Sequence, residues 1–190
     1  EFLSNHCKEH GIEHEIIDTQ IFELAGEKIR KNSSFCSFFS RMRRGYLYST
    51  AQEQGYNKVA LGHHLDDAME SFFMNFFYNG TMRSMPPIYK AENGLEVIRP
   101  LIFCRERQLR AFANTNEINV IGDEACPGLR FDVKMPHARQ STKELLAKLE
   151  EENPKIFVSM KAAFSNIQLS TFFNKDDLNR IESSLEDDMI

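Results

Sequence analysis

The chain has 190 residues, of which 42% are apolar, with sixteen phenylalanines and no tryptophan. That is enough apolar material for a buried core, and it excludes a disordered polypeptide. A formal net charge of −5 excludes a generally basic nucleic-acid binder, though not a local basic patch such as Arg41, Arg43 and Arg44.

In chain order, residues 1–10 read as a helix stopped by Gly11, and "EHEIIDT" as a short strand. Residues 20–31 are helical in pattern. After "KNSS", in which Ser34 can cap, a helix runs from about Cys36 to Gln54 and stops at Gly55. Val59-Ala60-Leu61 is a buried strand that empties at Gly62 into "GHHLDD". Asp66 or Asp67 then starts a phenylalanine-rich helix that ends at "YNG". "IYKAENGLEVI" gives two extended pieces around an Asn-Gly turn. A helix over 105–116 and a last strand, "INVIG", follow. Residues 141–152 and 154–169 read as two helices joined at Asn153-Pro154, ahead of an acidic tail.

Strands alternating with helices predict an α/β fold, a parallel sheet wrapped by helices on both faces. The division expected is an α/β domain over 1–140 and a C-terminal helical extension over 141–190. No apolar run is long enough to span a bilayer and no signal peptide is legible, so a soluble, cytoplasmic protein is expected.

In such sheets a ligand sits beyond the carboxyl ends of the strands. "GHHLDD" and Arg99 both stand at such ends. Gly62 lets a ligand approach the backbone, and adjacent carboxylates at Asp66 and Asp67 suit Mg²⁺ beside phosphate. Helix capping by the same aspartates is the plainer alternative. Arg105, Arg107 and Arg110 read as one solvated helix face. His6 and His10, one turn apart, have metal-ligand spacing, but Gly11 breaks the helix before His14.

The four cysteines, Cys7, Cys36, Cys104 and Cys126, are too scattered for disulfide staples in a chain of this size. Cys104 follows an apolar run and reads as core. Cys36 stands at a helix N-terminus near Arg41 and Arg43, a setting that makes a thiol more acidic. Packing residue, nucleophile and metal ligand all remain open for it.

Taken in order, "CSFFSRMRRGYLY", "KVALGHHLDDAMESFFMNFFYNG", "MRSMPP", "VIRPLIFCRERQLRAFA" and "CPG" resemble successive blocks of the tRNA 2-thiocytidine synthetase (TtcA) family of PP-loop ATPases. The resemblance spans roughly residues 1–165. It implies a Rossmann-like, adenine-nucleotide α-hydrolase-like parallel sheet flanked by helices. It also implies an ATP- and Mg²⁺-dependent reaction in which the C2 oxygen of a cytidine in a tRNA anticodon loop is adenylated and then displaced by sulfur. By the same resemblance, Gly62, His63, Asp67 and Arg99 bind ATP, Asp66 acts in catalysis and on Mg²⁺, and Arg43 and Arg44 meet tRNA. Cys36 and Cys126 would be the catalytic thiols and ligands of a 4Fe–4S cluster, with a cysteine desulfurase as sulfur donor. A homodimer is implied too, with the Phe-rich segments 72–77 and 172–173 as candidate surfaces.

The chain departs from the family pattern twice. The Ser-Gly-Gly-x-Asp-Ser PP-loop is nowhere in these residues, so a segment ahead of Glu1 is expected, and weak or no ATP binding by the 190 residues alone. Where the family has the second cysteine of its pair, this chain has Phe39, so two of three cluster ligands remain. That leaves a labile cluster with an outside ligand, a cluster-free route in which one thiol carries a persulfide and the other resolves it, or a non-catalytic tRNA-binding relative. Lysidine-type ligation is the enzymatic alternative that needs no cysteine.

Overall fold

The structure is a computed structural model that describes residues 2–28, 35–122 and 137–172. Two compact units interleave along the chain. One is drawn from Glu1–Leu61, Pro87–Pro100 and Arg110–His137, the other from Gly62–Pro86, Leu101–Leu109 and Ala138–Ile190. One division, between His137 and Ala138, falls beside the boundary expected near residue 140, and the second unit also takes in two earlier segments.

In the first unit, α1 (Phe2–Glu9) and α2 (Ile21–Lys28) precede the long α3 (Phe35–Glu53). Each glycine that follows a helix here does what only glycine does cheaply. Gly11 and Gly55 take φ of 64° and 78°, turning the chain after α1 and α3. The ring of Phe39 on α3 lies 5.1 Å from that of Phe22 on α2, centroid to centroid, so the position that interrupts the cysteine pair is an apolar contact between two helices.

Three strands form the sheet seen among the described residues: β1 (Lys58–Ala60), β2 (Ile88–Lys90) and β3 (Glu96–Ile98), in the order β1-β3-β2. β1 runs parallel to β3, in register Val59 with Val97, while β2 pairs antiparallel with β3. The sheet is thus mixed, not parallel throughout as expected. The cause is local: Gly94, at φ 90°, closes the Asn93-Gly94 turn with Ala91 and Leu95 bonded across it at 2.8 Å, and a turn this short can only reverse the chain. Val59 and Val97 are the buried residues of their strands.

Two expected strands are absent. "EHEIIDT" and "INVIG" are irregular, with Ile16 71% and Val120 75% exposed. Extended backbone becomes a strand only when a neighbour pairs with it, and among the described residues neither segment has one.

In the second unit, α4 (Leu65–Asn79) packs against α6 (His137–Glu152) and α7 (Ile156–Ala163) through Leu65, Met69, Leu146 and Phe157. Phe73, Ile156, Met160 and Phe164 surround that core. The helices after residue 140 are therefore no separate extension: they share α4's core. α5 (Glu106–Thr115) contributes its first turn, through Leu109, to this unit. Pro154 separates α6 from α7, and Asn153 caps the joint, its Oδ1 accepting from the Lys155 N–H at 3.1 Å. No described helix is long and apolar enough to cross a membrane.

Candidate functional site

The start of α4 is built by side chains of "HHLDD". The N-cap is His64, not an aspartate: its extended backbone ends the loop and its Nδ1 accepts weakly from the Asp67 N–H at 3.4 Å. Asp67 Oδ2 reaches back to accept from the His64 N–H at 3.0 Å, closing a capping box. At the far end Gly80, in the left-handed region, donates its N–H to Asn75 and ends the helix.

Asp66, one residue along, faces a different direction, because neighbours on a helix lie about 100° apart. Its carboxylate accepts from Arg105 Nε at 3.1 and 3.2 Å, from Arg105 Nη2 at 3.0 Å and from the Glu106 N–H at 2.7 Å. The same guanidinium donates to Glu150 at 2.6 and 2.8 Å and lies face-on to Phe157, its Cζ 3.4 Å from the ring centroid. Arg107 adds a longer contact to Glu150 at 3.5 Å, and Lys143 pairs with Glu106 at 3.1 Å. Glu70, buried on α4, lies 3.5 Å from Arg139. A small open cavity of about 90 Å³ lies among Asp66, Glu70, Arg105, Lys143 and Phe157.

The charge states follow from these contacts. Burial pushes the Asp66 carboxyl up, but the hydrogen bonds from Arg105 and from the Glu106 N–H outweigh it and hold the group below its ordinary value. Glu150 is lowered chiefly by its hydrogen bonds from Arg105, and Arg105 is raised by the same bonds. Glu70 moves the other way: burial raises it more than Arg139 and Lys143 lower it.

The first unit holds a second cluster. Tyr48 Oη on α3 and Tyr89 Oη on β2 are 2.7 Å apart, and the Arg99 guanidinium lies 5.2 Å from the Tyr89 ring centroid. Burial and the Tyr89 hydrogen bond push the Tyr48 phenol up to about 12 against the attraction of Arg44 and Arg99. Arg99 itself is only 8% exposed.

Among the residues singled out from sequence, Gly62, His63, Asp66 and Asp67 fall together at the start of α4, and a Cβ on Gly62 would meet nothing within 4 Å. Arg99 and Arg44 both act on Tyr48, while Arg43 is exposed on α3. Cys36 falls in the first turn of α3, but its side chain and the whole of Cys126 lie outside the described residues. The expected thiol pair is therefore not located by them. Cys7 and Cys104 are half-buried thiols. Among the described residues no three His, Cys, Asp or Glu side chains group as a metal site, and His10 and His14 bond instead to the His6 carbonyl and to Ser4.

One expectation meets a competing contact and one is corrected. Asp66, expected on Mg²⁺, gives both its oxygens to Arg105 and the Glu106 N–H. Arg105 is not on a solvated face with Arg107 and Arg110. It stands one residue before α5, where its own N–H bonds to Gln108 Oε1 at 2.9 Å, and its side chain turns to α4 and α6.

The PP-loop domain family matches residues 1–135. The chain is 42% identical over 168 residues to the tRNA-cytidine(32) 2-sulfurtransferase of Geobacter metallireducens, covering 87% of this chain and 63% of that protein. It is 36% identical over 188 residues to the enzyme of the same name from Ralstonia pickettii, with coverage of 97% and 58%, and 38% identical to that of Coxiella burnetii, with 92% and 67%. The chain thus spans about three fifths of the length of the first two of these curated relatives. Among solved structures, its fold is similar to the U34-tRNA thiolase NcsA from Methanococcus maripaludis, a structure that includes a 4Fe–4S cluster. The TM-score is 0.69 at 21% identity, over 91% of this chain and 57% of that one.

The depressed Asp66 carboxyl has a consequence for acid stability. A carboxylate lowered by folding stabilises the fold above its ordinary pKa, near 4, and that contribution disappears as pH falls through the lowered value. Thermal melts between pH 2 and 7 are expected to show a shallower acid limb in Asp66→Asn than in the parent chain.

Proposed function

The chain belongs to the PP-loop family, and from that membership we propose that the protein carries out ATP-dependent thiolation of a tRNA cytidine, giving 2-thiocytidine. The observation that carries this reading is the 36–42% identity to tRNA-cytidine(32) 2-sulfurtransferases, which extends across both compact units. The chemistry has two stages. The cytidine C2 oxygen attacks the α-phosphorus of ATP and pyrophosphate leaves. Sulfur then adds at C2 and AMP departs with the oxygen. Adenylation is needed because an amide-like oxygen is otherwise a poor leaving group.

The residue roles are those the family resemblance implies, and charge and place support them. Gly62, His63 and Asp67 stand at the α4 N-terminus, where backbone N–H groups favour a phosphate. Asp67 uses Oδ2 for its cap, and Oδ1 has no partner among the described residues, so Asp67 is the carboxylate of the pair that suits a phosphate-bound cation. Arg99, braced on Tyr89, frames the nucleotide side of the sheet. Arg43 and Arg44, exposed on α3, neutralise tRNA backbone charge in the anticodon loop. A cysteine desulfurase is the natural sulfur donor, the cytoplasm the natural setting, and a second copy docking on the 72–77 and 172–173 segments the assembly.

For sulfur delivery, the Phe39–Phe22 contact favours two thiols over three cluster cysteines, since the ring is engaged in helix packing and phenylalanine binds no iron. An iron–sulfur cluster, when bound, would supply a site for holding sulfide. Without one, a persulfide sulfur on Cys36 adds to C2, and the Cys126 thiolate then attacks the Cys36 sulfur. The carbon–sulfur bond stays with the nucleoside and a Cys36–Cys126 disulfide remains, which an external thiol reduces.

Two measurements test the proposal. Mass spectrometry of tRNA nucleosides should show 2-thiocytidine lost on gene deletion, restored by the parent gene and not by Cys36→Ser. Unchanged 2-thiocytidine in the deletion contradicts thiolation, and 2-thiocytidine restored by Cys36→Ser contradicts the role given to Cys36. Anaerobic reconstitution with iron and sulfide should give less than a full four-iron complement, whereas a robust four-iron cluster excludes the persulfide route.

A further inference from the structure

The adjacent aspartates at the start of α4 invite a shared role as a metal pair, yet the structure divides them. We infer that Asp66 and Arg105 are positioning residues, a clamp that holds the first turn of α4 so that Asp67 and the Gly62–His64 loop are presented to the nucleotide. This deepens the proposed function and rests on it, since it takes Asp67 and that loop to face ATP.

Geometry carries the inference. Asp66 is 14% exposed and receives a forked guanidinium together with a backbone N–H, so that each of its oxygens already accepts from an N–H group. A divalent cation at Asp66 would have to displace Arg105, which is itself bound through two nitrogens to Glu150 and laid against Phe157. Two cations would then compete for one carboxylate in a partly buried setting, where their repulsion is poorly screened. Nor does Asp67 substitute for Asp66, because its side chain is turned back on His64.

The clamp reaches three helices. Asp66 lies in the first turn of α4, the Glu106 N–H opens α5, and Glu150 closes the last turn of α6. A carboxylate at the N-terminus of α5 also suits that helix's dipole. Loosening the clamp frees the α4 N-terminus while leaving Asp67, His63 and Gly62 chemically intact. The expected signature is a slower reaction with unchanged metal dependence.

The test compares Asp66→Asn and Asp67→Asn in the intact protein by three readouts: Tm, the thiolation kcat, and the Mg²⁺ concentration giving half-maximal rate. Breaking a part-buried pair from one side predicts a fall in Tm of roughly 5 °C for Asp66→Asn. Its kcat should drop several-fold while its Mg²⁺ requirement stays within about twofold of the parent. A rise of about tenfold in Mg²⁺ requirement at unchanged Tm would make Asp66 a ligand and overturn the inference. Should Asp66→Asn fail to fold, Arg105→Lys keeps the charge but loses the fork. A parent-like Tm and rate in that variant would overturn the clamp. The double variant Asp66→Asn/Arg105→Lys distinguishes this inference from the reaction assignment, because stability needs no substrate. A Tm no lower than the worse single variant supports coupling, whereas additive losses refute it. Absence of thiolation in the parent protein would sink the reaction alone.

Discussion

The second unit is organised around one guanidinium. Arg105 lies flat on Phe157, donating from Nε and Nη2 to Asp66 and from Nη1 and Nη2 to Glu150. Asp66 and Phe157 belong to helices that also meet in the apolar core of Leu65, Met69 and Leu146. The polar contact therefore sits on the edge of the apolar one, and each restricts the other. A part-buried ion pair adds little net stability over apolar residues of the same shape, but removing one member leaves the other's charge without its partner. What such a pair supplies is direction: Asp66 in the first turn of α4 and Glu150 in the last turn of α6 are both held to one planar guanidinium.

That direction is transmitted to the start of α4. The first aspartate of the pair is turned inward and the second is turned back on the cap, so two chemically equal residues acquire separate tasks from a 100° step along a helix. The first unit uses a comparable device with neutral groups. Tyr48 and Tyr89 share a hydrogen bond between α3 and β2, and Arg99 stacks on the second ring. α3 is the helix whose first turn contains Cys36, and Arg43 and Arg44 lie along it. Fixing that helix on the sheet fixes the residues expected to handle sulfur and tRNA.

How much of this was legible depended on whether the signal was local. The end of α4 at Gly80, the hairpin around Asn93-Gly94 and the break at Pro154 were written in residues that constrain their own backbone. β1 was legible from three apolar residues before a glycine. "EHEIIDT" and "INVIG" had the same apolar character but lack a described neighbour to pair with, and a sequence carries no record of pairing. The expected parallel pairing is there between β1 and β3, and the hairpin at Asn93-Gly94 adds β2 antiparallel to it. At the site, the cluster of Gly62, His63, Asp66 and Asp67 was visible as a motif. Arg105 was not, since its partners are 39 and 45 residues away and its charge looked like a solvated one. Phe39 was read as a lost cysteine. The structure adds what the position gained, an aromatic contact with Phe22.

The most direct measurement of the clamp is a ¹⁵N NMR spectrum of the arginine side chains. Arg105 Nε–H donates to both oxygens of Asp66, so its signal should be displaced from those of exposed arginines, slow to exchange with water, and lost as a distinct resonance when Asp66 is replaced. An Arg105 Nε–H signal that exchanges as fast as those of solvent-exposed arginines, or that is indifferent to the Asp66 replacement, would contradict the account.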